Sequence, residues 1–103
     1  MIRLSGYEKV GRLLPRSDDR IGIIRDGHGE IGSVTRHEMG MVLMGLGPAR
    51  VCPEGEVTYL ESGRSIRVFV PGQPFVFTVL VRQVRGMIER WPTRKAAVFV
   101  SKG

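Results

Sequence analysis

Residues 57–70 read VTYLESGRSIRVFV, and this stretch carries the strongest local signal for the fold. Ser62-Gly63 has the composition of a two-residue turn, and apolar and polar residues alternate on either side of it. Folding about this turn gives four cross-strand pairs, Tyr59–Ile66 and Val57–Val68 on one face, and Thr58–Arg67 and Leu60–Ser65 on the other. The stretch therefore predicts a β-hairpin that lies in a half-buried sheet.

Two short helices are predicted before this hairpin. Ser5 followed by Glu8 fits a capping box, and the apolar residues after it keep helical spacing until Pro15, which predicts a helix at 6–14. Thr35 followed by Glu38 fits a second capping box and predicts a helix at about 36–46, ended by Gly47-Pro48.

Two strands are predicted between these helices. The stretch from Arg20 to Arg25 is rich in isoleucine, and a second strand is expected from Glu30 to Val34. The residues between them, Asp26-Gly27-His28-Gly29, have turn composition. The two strands should therefore form another hairpin.

Residues 74–91 allow two interpretations. A helix from Pro74 would gather apolar side chains on one stripe, but it would leave Phe75 and Val79 facing solvent. The β-branched and aromatic run at 75–81 instead favours a strand, with a helix from about residue 82 to Pro92. We adopt the second interpretation and expect a last strand from Ala96 to Ser101.

These elements predict one domain over residues 1–103, of the α+β class, with a mainly antiparallel sheet of hairpins and about three helices. The predicted order is α-β-β-α-β-β-(β)-α-β. Through residue 91 this order resembles the roadblock/longin-like profilin architecture, which implies a scaffold for protein contacts and dimers. The second helix is short for such a domain, the final strand is additional, and no sequence motif of the family is present.

Charge is distributed unevenly along the chain. The net charge is +6; residues 1–61 contribute −1, from eight Lys/Arg and nine Asp/Glu, and residues 62–103 contribute +7, from eight Lys/Arg and Glu89. A basic region of this kind favours polyanions or acidic protein surfaces as partners. The predicted binding residues are Arg64, Arg67, Arg82, Arg85, Arg90, Arg94 and Lys95, and Lys102 belongs to the same basic set. Arginine suits phosphate because its planar fork binds two oxygens at once.

Other motifs give weaker signals. Residues 27–32 match the glycine-rich G-x-G-x-x-G pattern, but no β-α-β unit surrounds them, so a hairpin turn explains them better. Asp26, His28 and Glu30 alternate and could face a metal, although the intervening glycines favour a bent turn. Cys52 lacks a cysteine partner and is expected to be a buried thiol. No cofactor, metal site or catalytic residue is predicted.

Composition also indicates the cellular compartment in which we expect the protein. The longest uncharged run, at 68–81, spans 14 residues and includes two prolines, whereas a membrane helix needs roughly 20 apolar residues. The single cysteine precludes an internal disulfide and favours a reducing cytoplasm.

Two functions remain open at the level of sequence. The first is a small non-catalytic binding protein that engages nucleic acid, or a nucleic-acid-handling complex, through its C-terminal arginines. The second is an adaptor or inhibitor that docks on an acidic protein and forms a homodimer. Exposed methionines among Met39, Met41 and Met44 would favour the second.

Overall fold

The computed structural model describes residues 8–91 and 98–102 of the chain. This part of the chain forms eight strands and two helices, and all the strands belong to one antiparallel sheet. The elements are β1 (Lys9–Pro15), β2 (Arg20–Arg25), β3 (Gly29–Thr35), α1 (Arg36–Leu43), β4 (Ala49–Arg50), β5 (Glu56–Tyr59), β6 (Ser65–Phe69), β7 (Phe77–Leu80), α2 (Val81–Glu89) and β8 (Val98–Lys102).

The sheet curves into an almost complete barrel. Its strand order is β3-β2-β1-β8-β7-β6-β5-β4. Consecutive strands therefore lie side by side except β3 and β4, which stand at the two ends of this order, and β1 lies beside β8. A bridge between Ser33 and Cys52 joins β3 to the residues that follow β4: each backbone N–H donates to the other residue's carbonyl, at 2.9 and 2.8 Å. Closing the sheet in this way pairs backbone groups that would otherwise lie on open strand edges.

The core occupies the inside of the barrel. Inward positions alternate with outward ones along the strands, and the inward side chains of Leu13, Ile23, Val68 and Phe77 are fully buried. Outward neighbours such as Arg67 are exposed. This alternation is what strands need when one face meets an apolar interior and the other meets water.

Both helices begin at the same end of the barrel. β3 and β7 run in the same direction, and each leads directly into a helix. The helices contact each other, and they insert buried side chains such as Met39 and Met87 into the core. The guanidinium of Arg36 also lies 5.1 Å from the ring centre of Trp91, which links the start of α1 to the residues after α2.

Thr35 is the N-cap of α1, as the predicted capping box requires, but the end of the helix differs from the prediction. Thr35 Oγ1 accepts a hydrogen bond of 3.0 Å from the backbone N–H of Glu38. The helix ends at Leu43, three residues earlier than predicted, because Gly45 adopts a positive φ of 74°. The N–H groups of Gly45 and Leu46 then bond to the carbonyls of Val42 and Met41, which forms a Schellman motif.

The predicted fold class, α+β with about three helices, is wrong. The described part of the chain contains two helices, and its order is β-β-β-α-β-β-β-β-α-β. The predicted helix at 6–14 is the main error, because Lys9–Pro15 form a strand. A helix of this length gains little on its own, whereas this strand pairs with both β2 and β8. The resemblance to the profilin architecture therefore does not hold.

Several local predictions are confirmed. The strand at 20–25 has the predicted bounds, and the hairpin at 57–70 forms with Tyr59 opposite Ile66, Val57 opposite Val68 and Thr58 opposite Arg67. The strand-then-helix interpretation of residues 75–91 is also correct, since α2 follows β7 directly. The last strand, predicted from Ala96 to Ser101, is present as Val98–Lys102, and Ala96 and Ala97 lie outside the described residues.

The described residues form two successive units of the same order. β1 to β4 with α1, and β5 to β8 with α2, both read β-β-β-α-β. No helix among the described residues is long and apolar enough to cross a membrane.

Candidate basic groove

Three of the predicted arginines meet at one open groove at the helical end of the barrel. The groove has a volume of about 480 Å³ and lies between the β5–β6 turn and the start of α2. Its lining residues are Gly63, Arg64, Leu80, Val81, Arg82 and Arg85. We call this feature the arginine groove.

Arg64 is positioned by the β5–β6 turn. Gly63 takes a positive φ of 70°, which suits a residue without a side chain, and its carbonyl accepts a 3.0 Å hydrogen bond from the Tyr59 hydroxyl. The carbonyl of Arg64 accepts a 2.9 Å hydrogen bond from the backbone N–H of Val81, the first residue of α2. This bond fixes the turn against the helix and brings Arg64 beside Arg82.

The periodicity of α2 places its arginines on the outer side. Val81, Val84 and Met87 are buried against the barrel, whereas Arg82 and Arg85 are exposed. Since residues three apart lie on neighbouring positions of a helix surface, the two guanidinium groups can reach the same groove.

Arg85 has a structural contact in addition to its place in the groove. Its Nη2 donates a 3.3 Å hydrogen bond to the carbonyl of Leu43, the last residue of α1. Carbonyls at a helix end lack partners within the helix, and a cation there is favourable. Arg85 therefore links the two helices, and Arg64 and Arg82 are the better probes of binding.

The remaining predicted residues do not line the groove. Arg67 is exposed on the outer face of β6, opposite Thr58 and Thr78. Arg90 is exposed at the far end of α2. Arg94 and Lys95 lie outside the described residues. Lys102 ends β8, and its Nζ lies 5.6 Å from the ring centre of Phe75.

The two halves of the chain differ in whether their charged side chains form ion pairs within the protein. Those among the described residues are Arg16–Asp18 at 2.6 Å, Arg16–Glu30 at 3.0 Å and Arg36–Asp19 at 2.8 Å, all in the first half of the chain. Within the described part of the chain, Arg64, Arg67, Arg82, Arg85 and Arg90 form no ion pair. Their charges can therefore act on an external anion.

The other candidate sites from the sequence have structural roles or different surroundings. The glycine-rich residues 27–32 belong to the β2–β3 hairpin, and Glu30 pairs with Arg16 rather than converging with Asp26 and His28. The residues that the structure describes contain no cluster of three or more His, Cys, Asp or Glu suited to a metal. Cys52 is exposed, contrary to the expectation of a buried thiol.

Three residues that the sequence did not single out lie on the outer face of β1 and β8. Phe99 is 56% exposed, Arg12 lies opposite it in β1, and Lys9 Nζ is 4.5 Å from the centre of its ring. Lys9 and Arg12 belong to the half of the chain with no excess positive charge. No local signal connects them with Phe99, because the pairing joins residues almost 90 positions apart.

No family model, curated protein or solved structure matches this chain, so its function has to be inferred from its own residues.

Proposed function

We propose that this chain is a non-catalytic binding protein that engages nucleic acid, or a nucleic-acid-handling complex, through its arginine-rich surface. The observation that carries the proposal is the convergence of Arg64, Arg82 and Arg85 on the arginine groove. Their guanidinium groups offer paired donors for phosphate oxygens, and the start of α2 adds the positive end of a helix dipole.

The groove favours recognition of a phosphate backbone over recognition of base edges. It is open to solvent, and α2 packs along the barrel instead of projecting as a separate recognition helix. Contacts to phosphates position a nucleic acid but carry little sequence information. We therefore place the activity among binding proteins with weak sequence preference. The single cysteine favours the cytoplasm as the compartment.

A salt titration tests this function. We expect a fluorescently labelled oligonucleotide to bind at low salt. Between 50 and 200 mM salt, three phosphate contacts would lower its affinity about 20-fold for a single strand and about 40-fold for a duplex. Fluorescence anisotropy measures the affinity at low salt and its fall as the salt concentration rises. Absence of binding at low salt would overturn the proposal, as would an affinity that does not change with salt.

A second candidate function is a protein-interaction subunit that forms a homodimer. It is favoured by the exposed apolar side chains around the end of α1: Met41 is 37% exposed, Met44 73% and Leu46 59%. Flexible methionine side chains adapt well to a protein partner. If this surface joins two copies, light scattering should give a dimer mass that falls toward the monomer mass on dilution. A monomer at every concentration would exclude the homodimer.

A further inference from the structure

An exposed aromatic side chain stands on the outer face of the barrel close to the arginine groove. Phe99 is 56% exposed, although its strand neighbours Val98 and Val100 are buried inside the barrel. The register of β7 and β8 places Thr78 opposite Ser101, so Leu80 lies level with Phe99 on the same face. Leu80 is itself 38% exposed and lines the groove. Phe99 therefore borders the groove through Leu80.

Two cations lie near this aromatic ring. Lys9 Nζ lies over the ring, 4.5 Å from its centre, and Arg12 occupies the cross-strand position opposite Phe99. The three strands that form this face, β1, β8 and β7, contain no Asp or Glu. The face thus combines one exposed aromatic ring with positive charge and no carboxylate of its own strands.

We propose that the outer face of β1, β8 and β7 binds single-stranded nucleic acid, with a base stacked on Phe99. Lys9 and Arg12 contact the phosphates on either side of this base, and the strand continues over Leu80 into the arginine groove. This inference rests on the proposed function, and it adds the class of nucleic acid and the means of base contact. An aromatic side chain can stack on an unpaired base, whereas the faces of paired bases are covered by their neighbours in a duplex.

The chemistry of the face favours a nucleic acid over an apolar protein partner. Phe99 and Leu80 form a narrow apolar strip with cations beside it, and a protein interface usually excludes charge from its centre. A stacked base, in contrast, is an apolar plane attached to an anion, which matches a ring flanked by Lys9 and Arg12.

The test compares two exposed phenylalanines on the same barrel. Phe69, on β6, is 47% exposed, but it lies opposite Glu56 instead of a cation. We expect Phe99→Ala to weaken binding of a labelled 12-nucleotide single strand by about 5- to 150-fold. Phe69→Ala should leave it unchanged. Phe99→Leu keeps an apolar side chain without the aromatic plane, so it should lose affinity as Phe99→Ala does while folding normally.

The same oligonucleotide annealed into a duplex completes the experiment. We expect wild-type protein to bind the single strand more tightly than the duplex, and Phe99→Ala to leave duplex affinity unchanged. Equal affinity for both forms, or single-strand binding that survives in Phe99→Leu, would overturn the stacking proposal. The arginine groove would still stand if either nucleic acid bound in a salt-dependent way. Failure of both nucleic acids to bind at low salt would overturn the proposed function itself.

Discussion

Replacing Phe77 by alanine should lower the free energy of unfolding by about 3–5 kcal/mol, the usual cost of removing a large aromatic side chain from a core. Phe77 is fully buried in β7, opposite Val68 in β6. Its ring meets that of Phe75 edge to face, with centres 5.1 Å apart. The variant would lose both the burial and this contact. Stabilities of single domains are about 5–15 kcal/mol, so the loss is a large share of the total.

Thermal and urea unfolding monitored by circular dichroism measure this effect. For a domain of this size we expect the midpoint to fall by roughly 12–40 °C. Phe69→Ala is the matched control, because Phe69 lies in the adjacent strand but is 47% exposed. Its loss should cost less than about 1 kcal/mol. Equal destabilisation by the two substitutions would mean that the inward and outward faces of the barrel are assigned incorrectly.

The parts of the fold that the sequence predicted depend on local pairing. The strand register of the hairpin at 57–70 could be predicted from sequence, because its turn fixes which residues lie opposite each other and one of its faces is apolar. Tyr59 and Ile66 are only seven residues apart, and both lie opposite each other as expected. The order of strand and helix at 75–91 was also predictable, because a helix would have turned Val79 outward, and Val79 is 2% exposed in the structure.

The first strand could not be predicted in the same way. Its inward positions hold Gly11, Leu13 and Pro15, so only one of the three has a large apolar side chain. A side chain at Gly11 would collide with the carbonyl of Ile24, which explains the glycine through a contact between strands. Half of the pairing of β1 is with β8, at the other end of the chain. Long-range pairing of this kind leaves no periodic signal within the strand itself.

The candidate site likewise has a part that could be predicted from sequence and a part that depends on contacts between distant residues. The excess of positive charge after residue 61 was visible in sequence, and so was the proximity of Arg82 to Arg85 on one helix. The position of Arg64 beside them depends on the 2.9 Å hydrogen bond between its carbonyl and the N–H of Val81. The cations next to Phe99 depend on the pairing of β1 with β8. Sequence therefore identified the charge but not the aromatic surface to which we assign base stacking.

The double substitution Arg64→Glu/Arg82→Glu should weaken binding to an oligonucleotide on the order of 10²-fold or more at low salt. Both side chains are exposed and line the arginine groove. A hydrogen bond to a charged group contributes about 1.5–3 kcal/mol, and two lost contacts account for the effect. Arg85 is kept because it bonds to the carbonyl of Leu43. The slope of log affinity against log salt should become shallower by roughly 1.4–1.8, the share of two phosphates.

A change of net charge alone must be separated from loss of the groove. Arg50→Glu supplies the control for Arg82→Glu, since each substitution makes the net charge more negative by the same amount. Arg50 is exposed on β4 and lies beside Glu38 and Glu56, away from the groove. Anisotropy titrations at matched salt should show a much larger loss for Arg82→Glu. If Arg50→Glu weakened binding equally, the overall positive charge would account for the affinity, and the convergence of arginines at α2 would have no specific part in it.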